Sequence, residues 1–201
     1  MIMATAMRIY QLRIALPYIA PPIWRRIEVP GQMTFYDLHH AIQTAMGWEN
    51  DHLWAFYVEK TEVSPASEQL DFPGVPRARP ADGTTLDQLL AGRRIKFRYV
   101  YDMGDDWVHE VKVEKDFAPE PNAVYPRCTG GERACPPEDC GGFPGYLNLL
   151  ETMADPKHPE HDEMFEWIGE DWDPEAFDLD AINAELKPKS RRPRKQKAAP
   201  G

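Results

Sequence analysis

Ile95-Lys96-Phe97-Arg98-Tyr99-Val100-Tyr101 runs through Asp102-Met103-Gly104-Asp105-Asp106 into Trp107-Val108-His109-Glu110-Val111-Lys112-Val113-Glu114-Lys115. Ile95, Phe97, Tyr99 and Tyr101 alternate on one face, and Trp107, His109, Val111 and Val113 alternate on another. Period-two alternation of β-branched and aromatic residues is the pattern of a half-buried strand. The segment between is turn material, because Asp and Gly satisfy or relax the backbone where the chain reverses. The stretch therefore predicts an antiparallel hairpin with His109 on the inward face.

Upstream, Tyr10, Leu12, Ile14 and Leu16 alternate, as do Ile23, Ile27 and Val29 across a stiff Pro17–Pro22 connection. That is a second hairpin. Thr34 is placed to cap a helix carrying Phe35, Leu38, Ala41, Ile42 and Ala45, with Gly47 as its stop. His52 to Val58 is aromatic and predicts a further strand. Residues 59–83 look irregular, and a short helix is expected over Leu86 to Leu90, capped by Thr84 or Thr85. Downstream, 116–144 lacks periodicity and is rich in proline, so it reads as a long loop. Helical spacing resumes from Gly145, and Asp173-Pro174 has the form of a last helix start. Strands grouped before helices give an α+β class. We expect an antiparallel sheet of two hairpins plus one strand around one helix, a β-grasp-like opening, with a helical C-terminal part. The chain divides as one domain over 1–186, with its sheet part over about 8–115, its loop over 116–144 and its helical part over 145–186. A tail follows over 187–201.

Charge separates the same two parts. Lys187, Lys189, Arg191, Arg192, Arg194, Lys195 and Lys197 give the tail seven cations and no acid, whereas the rest of the chain is −17. The tail has nothing apolar larger than alanine, so a disordered basic arm is expected, with nonspecific attraction to nucleic-acid phosphates as its functional reading. An acidic body argues against a nucleic-acid face on the globular part. No apolar run reaches the roughly 20 residues of a membrane span. Three cysteines make no disulfide framework, and no leader-like stretch opens the chain. A cytoplasmic protein without membrane contact is expected.

Four stretches, in order, carry a resemblance. They are Pro21-Pro22-Ile23-Trp24-Arg25-Arg26; Leu38-His39, Ile42-Gln43, Gly47-Trp48, His52-Leu53 and Phe56; Tyr99 to His109; and Pro136-Pro137-Glu138-Asp139-Cys140-Gly141-Gly142 with Gly145-Tyr146 behind it. Over about Arg8 to Leu186 the chain resembles the plasmid pRiA4b Orf-3-like family, some members of which go by the name of TnpR-like passenger proteins of insertion elements. Met103 stands where the family pattern usually carries Phe. The resemblance implies an α+β domain associated with mobile elements and brings no catalytic mechanism.

The candidate pocket consists of His52, Asp102, Asp105, Asp106, Trp107, His109, Glu138 and Asp139. Carboxylates beside an inward imidazole have the chemistry of a general base or metal ligand. Asp102 and Asp105 are also good turn formers, and an inward His is also a normal core residue. His52, His109 and Asp105 would make a divalent-metal set if their strands are neighbours. Cys128, Cys135 and Cys140, spaced C-x6-C-x4-C, depart from zinc-knuckle spacing and are a weaker metal set, with free thiols as the alternative. His39 and His40 are read as structural, and Arg25 and Arg26 beside Trp24 as part of a contact surface. No phosphate-binding loop or nucleophile elbow occurs, and the only serines are Ser64, Ser67 and Ser190. The sequence therefore favours a non-catalytic binding or accessory module with a protein partner and no required cofactor. The alternative is a metal-assisted hydrolase using His52, Asp105, His109 and Glu138 with an ion such as zinc.

Overall fold

The computed structural model describes residues 7–66 and 78–187. Their strands are β1 (Ile9–Leu16), β2 (Ile23–Pro30), β3 (Trp54–Val58), β4 (Thr61–Ser64), β5 (Arg79–Pro80), β6 (Lys96–Tyr101), β7 (Trp107–Phe117) and β8 (Arg127–Glu132). Their helices are α1 (Phe35–Met46), α2 (Leu86–Leu90), α3 (Gly142–Ala154), α4 (His161–Ile168) and α5 (Leu179–Leu186). The class is mixed α+β, built on one eight-stranded sheet in the order β5-β4-β3-β6-β7-β1-β2-β8.

The expected hairpins are present. Tyr101 pairs with Trp107 and Tyr99 with His109 across β6 and β7, and β1 pairs with β2 over their full lengths. β1 also pairs with β7, so the two hairpins join through their first and second strands. Tyr10, Leu12, Ile27, Phe97, Tyr99 and Val111 point to one face and are buried there against α1. Phe35 at the start of α1 meets Phe56 and Phe97 edge-on at 5.1 and 6.3 Å. Thr34 caps α1 by accepting from the Asp37 amide, and Gly47 ends it in the left-handed region at φ 93°. The cap is worth about 1 kcal/mol.

Several elements differ from expectation. The sheet is not purely antiparallel, because β5 runs parallel to β4. Residues 116–144 are not one loop: β7 continues to Phe117, and β8 forms within the stretch. Arg127-Cys128-Thr129-Gly130-Gly131-Glu132 has no apolar alternation, and its strand state comes from pairing with the edge of β2. β3 begins at Trp54, which leaves His52 in the preceding bend. α5 starts at Leu179, where Asp178 accepts from the Ala181 amide, while Asp173 only closes a turn onto the Glu175 amide. The basic tail beyond Lys187 lies outside the described residues.

Candidate functional site

Three stretches far apart in sequence meet at one end of the sheet: the loop after α1 (residues 47–53), the β6–β7 turn (102–106) and the loop before α3 (134–141). β3 and β6 are neighbours, which brings the first two together, and the Asp102 amide donates to the Leu53 carbonyl at 2.9 Å. The Asp105 carboxylate accepts from the Gly141 amide at 3.1 Å. Gly142, at φ 67°, lies so close that a Cβ there would collide with the Asp105 carbonyl. Trp48 Nε1 donates to the Pro136 carbonyl at 2.9 Å. Glu138 Oε1 accepts from the Tyr101 hydroxyl at 2.5 Å and from the Glu49 amide at 3.2 Å. Burial, and then the bond to Glu138, raise the Tyr101 pKa, so the phenol stays protonated and donates.

The loop after α1 and the loop before α3 line a cleft of about 880 Å³, bounded on its far side by α4 and α5, with the β6–β7 turn packed behind them. Trp48, Trp167, Trp172 and Phe177 supply aromatic walls, while Glu49, Asp51, Glu138, Asp139 and Asp178 supply carboxylates. Trp167 is 49% exposed. Arg25 lines the floor but is consumed by the Ala45, Trp24 and Glu132 carbonyls, with Phe177 stacked at 5.0 Å. Strand alternation puts Arg26 on the opposite face, paired with Glu114 at 2.6 Å, so Arg25 and Arg26 do not form one surface.

The expected pocket residues divide into two layers. His52, Glu138 and Asp139 line the cleft. His52 lies between two acids, with Nδ1 3.7 Å from Asp102 Oδ2 and Nε2 3.4 Å from Asp139 Oδ1. Asp102 also holds the turn, its Oδ1 accepting from the Gly104 and Asp105 amides. Asp105 ties the turn to Gly141, and Asp106 is an exposed turn residue at φ 53°. Trp107 and His109 belong to the core beneath. His109 faces inward, as expected, but is fully buried with the Trp48 ring edge-on at 5.1 Å. Burial lowers its pKa to about 4, so it is a neutral core imidazole with Nδ1 near the Tyr99 carbonyl. The expected His52–His109–Asp105 set is thus not assembled; Asp102 and Asp139 flank His52 instead.

His39 is structural as well. It stacks on Trp54 at 3.9 Å, meets the Tyr99 hydroxyl at 2.7 Å through Nδ1, and contacts Asn50 through Nε2. Burial lowers its pKa to about 3. Among the described residues, no cluster of three metal-capable side chains includes a cysteine. Burial raises the pKa of all three thiols, that of Cys140 to about 12, which keeps the free thiols protonated at neutral pH.

Glu49, Asp51, Trp167 and Trp172 were not expected at the site. The two acids follow the helix stop directly, a position from which they can reach the cleft. The two tryptophans gave no usable signal, because their placement depends on where α4 and α5 dock.

Comparison with known proteins agrees with this architecture. The chain is 33% identical over 179 residues to the uncharacterized protein y4hQ of Sinorhizobium fredii, covering 87% of this chain and 89% of that one. It superposes with a TM-score of 0.78 on the crystal structure of MM3350 from Methanosarcina mazei Go1, a protein of unknown function. The two are 35% identical, with 88% of this chain and 97% of the other covered. Residues 8–181 match the profile of one family, and the chain belongs to it: the plasmid pRiA4b ORF-3-like proteins.

Proposed function

We propose that the protein is a non-catalytic binding module whose cleft takes a lysine- or arginine-bearing segment of a protein partner. The observation that carries this reading is the pairing of tryptophan walls with a carboxylate rim in one cleft of about 880 Å³. That volume lies in the range of ligand sites. Cations gain from aromatic faces and from carboxylates at once, and each gain grows as water is excluded. Glu138 is held by Tyr101 and the Glu49 amide, so the rim loses little freedom on binding. The burial of His109 supports a binding role over hydrolysis by the expected residues. An accessory role on plasmid or mobile elements belongs to the same proposal, supported by the plasmid origin in the family's name. So does a separate role for the seven tail cations in attracting nucleic acid.

The test is a fluorescence titration with a short Lys/Arg peptide and its Glu-substituted counterpart. The basic peptide should bind and weaken with salt, and Trp167→Ala and Asp51→Asn should each weaken it at least about tenfold, the loss of one well-placed contact. Equal binding of the acidic peptide, or indifference to both substitutions, would reject the reading.

A further inference from the structure

We infer that His52, Asp102 and Asp139 hold one divalent transition-metal ion of the zinc class at the corner of the cleft. One ligand atom from each residue lies within 4.8 Å of the other two. Ligands about 2.1 Å from a tetrahedral ion stand roughly 3.4 Å apart. His52 Nε2 stands 3.4 Å from Asp139 Oδ1 and Nδ1 stands 3.7 Å from Asp102 Oδ2, so the ring must turn to offer one nitrogen to an ion between the two acids. Asp139 is 75% exposed and free to rotate the remaining distance, whereas Asp102 is nearly buried with one oxygen fixed by the turn. One imidazole with two carboxylates suits zinc and its neighbours better than calcium or magnesium, which favour all-oxygen shells. Three protein ligands leave the fourth tetrahedral position open.

Charge gives a second, independent argument. Elsewhere two acids withdrawn from solvent are matched with arginine: Glu28 with Arg127 and Glu114 with Arg26. Among the described residues, Asp102, Asp139, Glu49, Asp51 and Glu138 form no ion pair with any lysine or arginine. Five carboxylates on adjoining loops, one of them nearly buried, favour a bound cation. The site adds a cation beside the proposed peptide and does not depend on it.

The test uses the full chain, stripped with a chelator and then dialysed. Zinc is titrated against a chromogenic competitor in the absence of peptide, with magnesium as the comparison. One equivalent should bind, with zinc preferred. His52→Ala and Asp139→Asn should each cost at least about tenfold in affinity, with unchanged circular dichroism and unfolding midpoint. Asp139→Asn is the safer variant, because its side chain is mostly solvent-exposed. Zinc binding that survives both substitutions, or that disappears only when Cys128, Cys135 and Cys140 are all changed to Ser, would overturn the assignment. So would the absence of zinc binding, or equal binding of magnesium.

Discussion

Acidification from pH 7 to pH 5 should remove about 4 kcal/mol of folding stability through His39 and His109. Both are buried and neutral, with pKa values lowered to about 3 and about 4. In the unfolded chain each returns to about 6.5. The unfolded state therefore binds more protons between these limits, so stability is complete above about pH 6.5 and falls as the pH drops. At pH 5 each unfolded imidazole is almost fully protonated while its folded counterpart is almost fully neutral, a difference of about 2 kcal/mol per residue. His40, its pKa also lowered by burial, adds a loss of the same sign. Glu114, held low by the Arg26 guanidinium, loses its contribution only at lower pH. Urea unfolding at pH 7, 6 and 5 measures the total. His109→Leu should lower stability at pH 7 but cut the pH-dependent loss roughly in half. An unfolding free energy that stays flat from pH 7 to 5, or a His109→Leu protein with the same pH slope, would refute the burial argument.

Trp107→Ala should cost about 3–5 kcal/mol, because the ring fills the core beside Trp48; a loss under about 1 kcal/mol in urea would place it at the surface. Gly142→Ala should cost about 2 kcal/mol or more, since a side chain there collides with the Asp105 carbonyl at a positive φ. Gly47→Ala, with open space around it, should cost only the strain of its left-handed backbone, about 1 kcal/mol; equal losses would mean that the contact between the two loops is unimportant. Deleting Lys187–Gly201 should leave the unfolding midpoint unchanged and abolish nonspecific duplex binding at low salt; retained, salt-insensitive binding would move nucleic-acid recognition onto the acidic body.

Period-two alternation made β1, β2, β6 and β7 legible, because one buried face imposes a strict pattern on each strand. Thr34 and Gly47 marked both ends of α1 through their own backbone chemistry. β8 was hidden because an edge strand with two glycines takes its state from β2, and β4 and β5 are too short to show a period. The inward direction of His109 was readable, but its depth was not: the ring is fully buried with Trp48 edge-on and Tyr99 tilted against it, both at 5.1 Å. The meeting of His52 with Asp102 depended on β3 lying beside β6, a non-local pairing that no local pattern encodes. Trp167 and Trp172 depended in the same way on the packing of the last helices.

The binding reading is tested most directly by following the six tryptophan indole N–H resonances while a Lys/Arg peptide is added. Trp167 and Trp172 line the cleft, Trp54 and Trp107 lie in the core, and Trp24 lies on the opposite sheet face between the Arg13 and Arg26 guanidiniums. Binding in the cleft predicts saturable shifts at Trp167 and Trp172, with Trp24 and Trp54 unmoved. Shifts confined to Trp24, or no shift at any indole under saturating peptide, would contradict it.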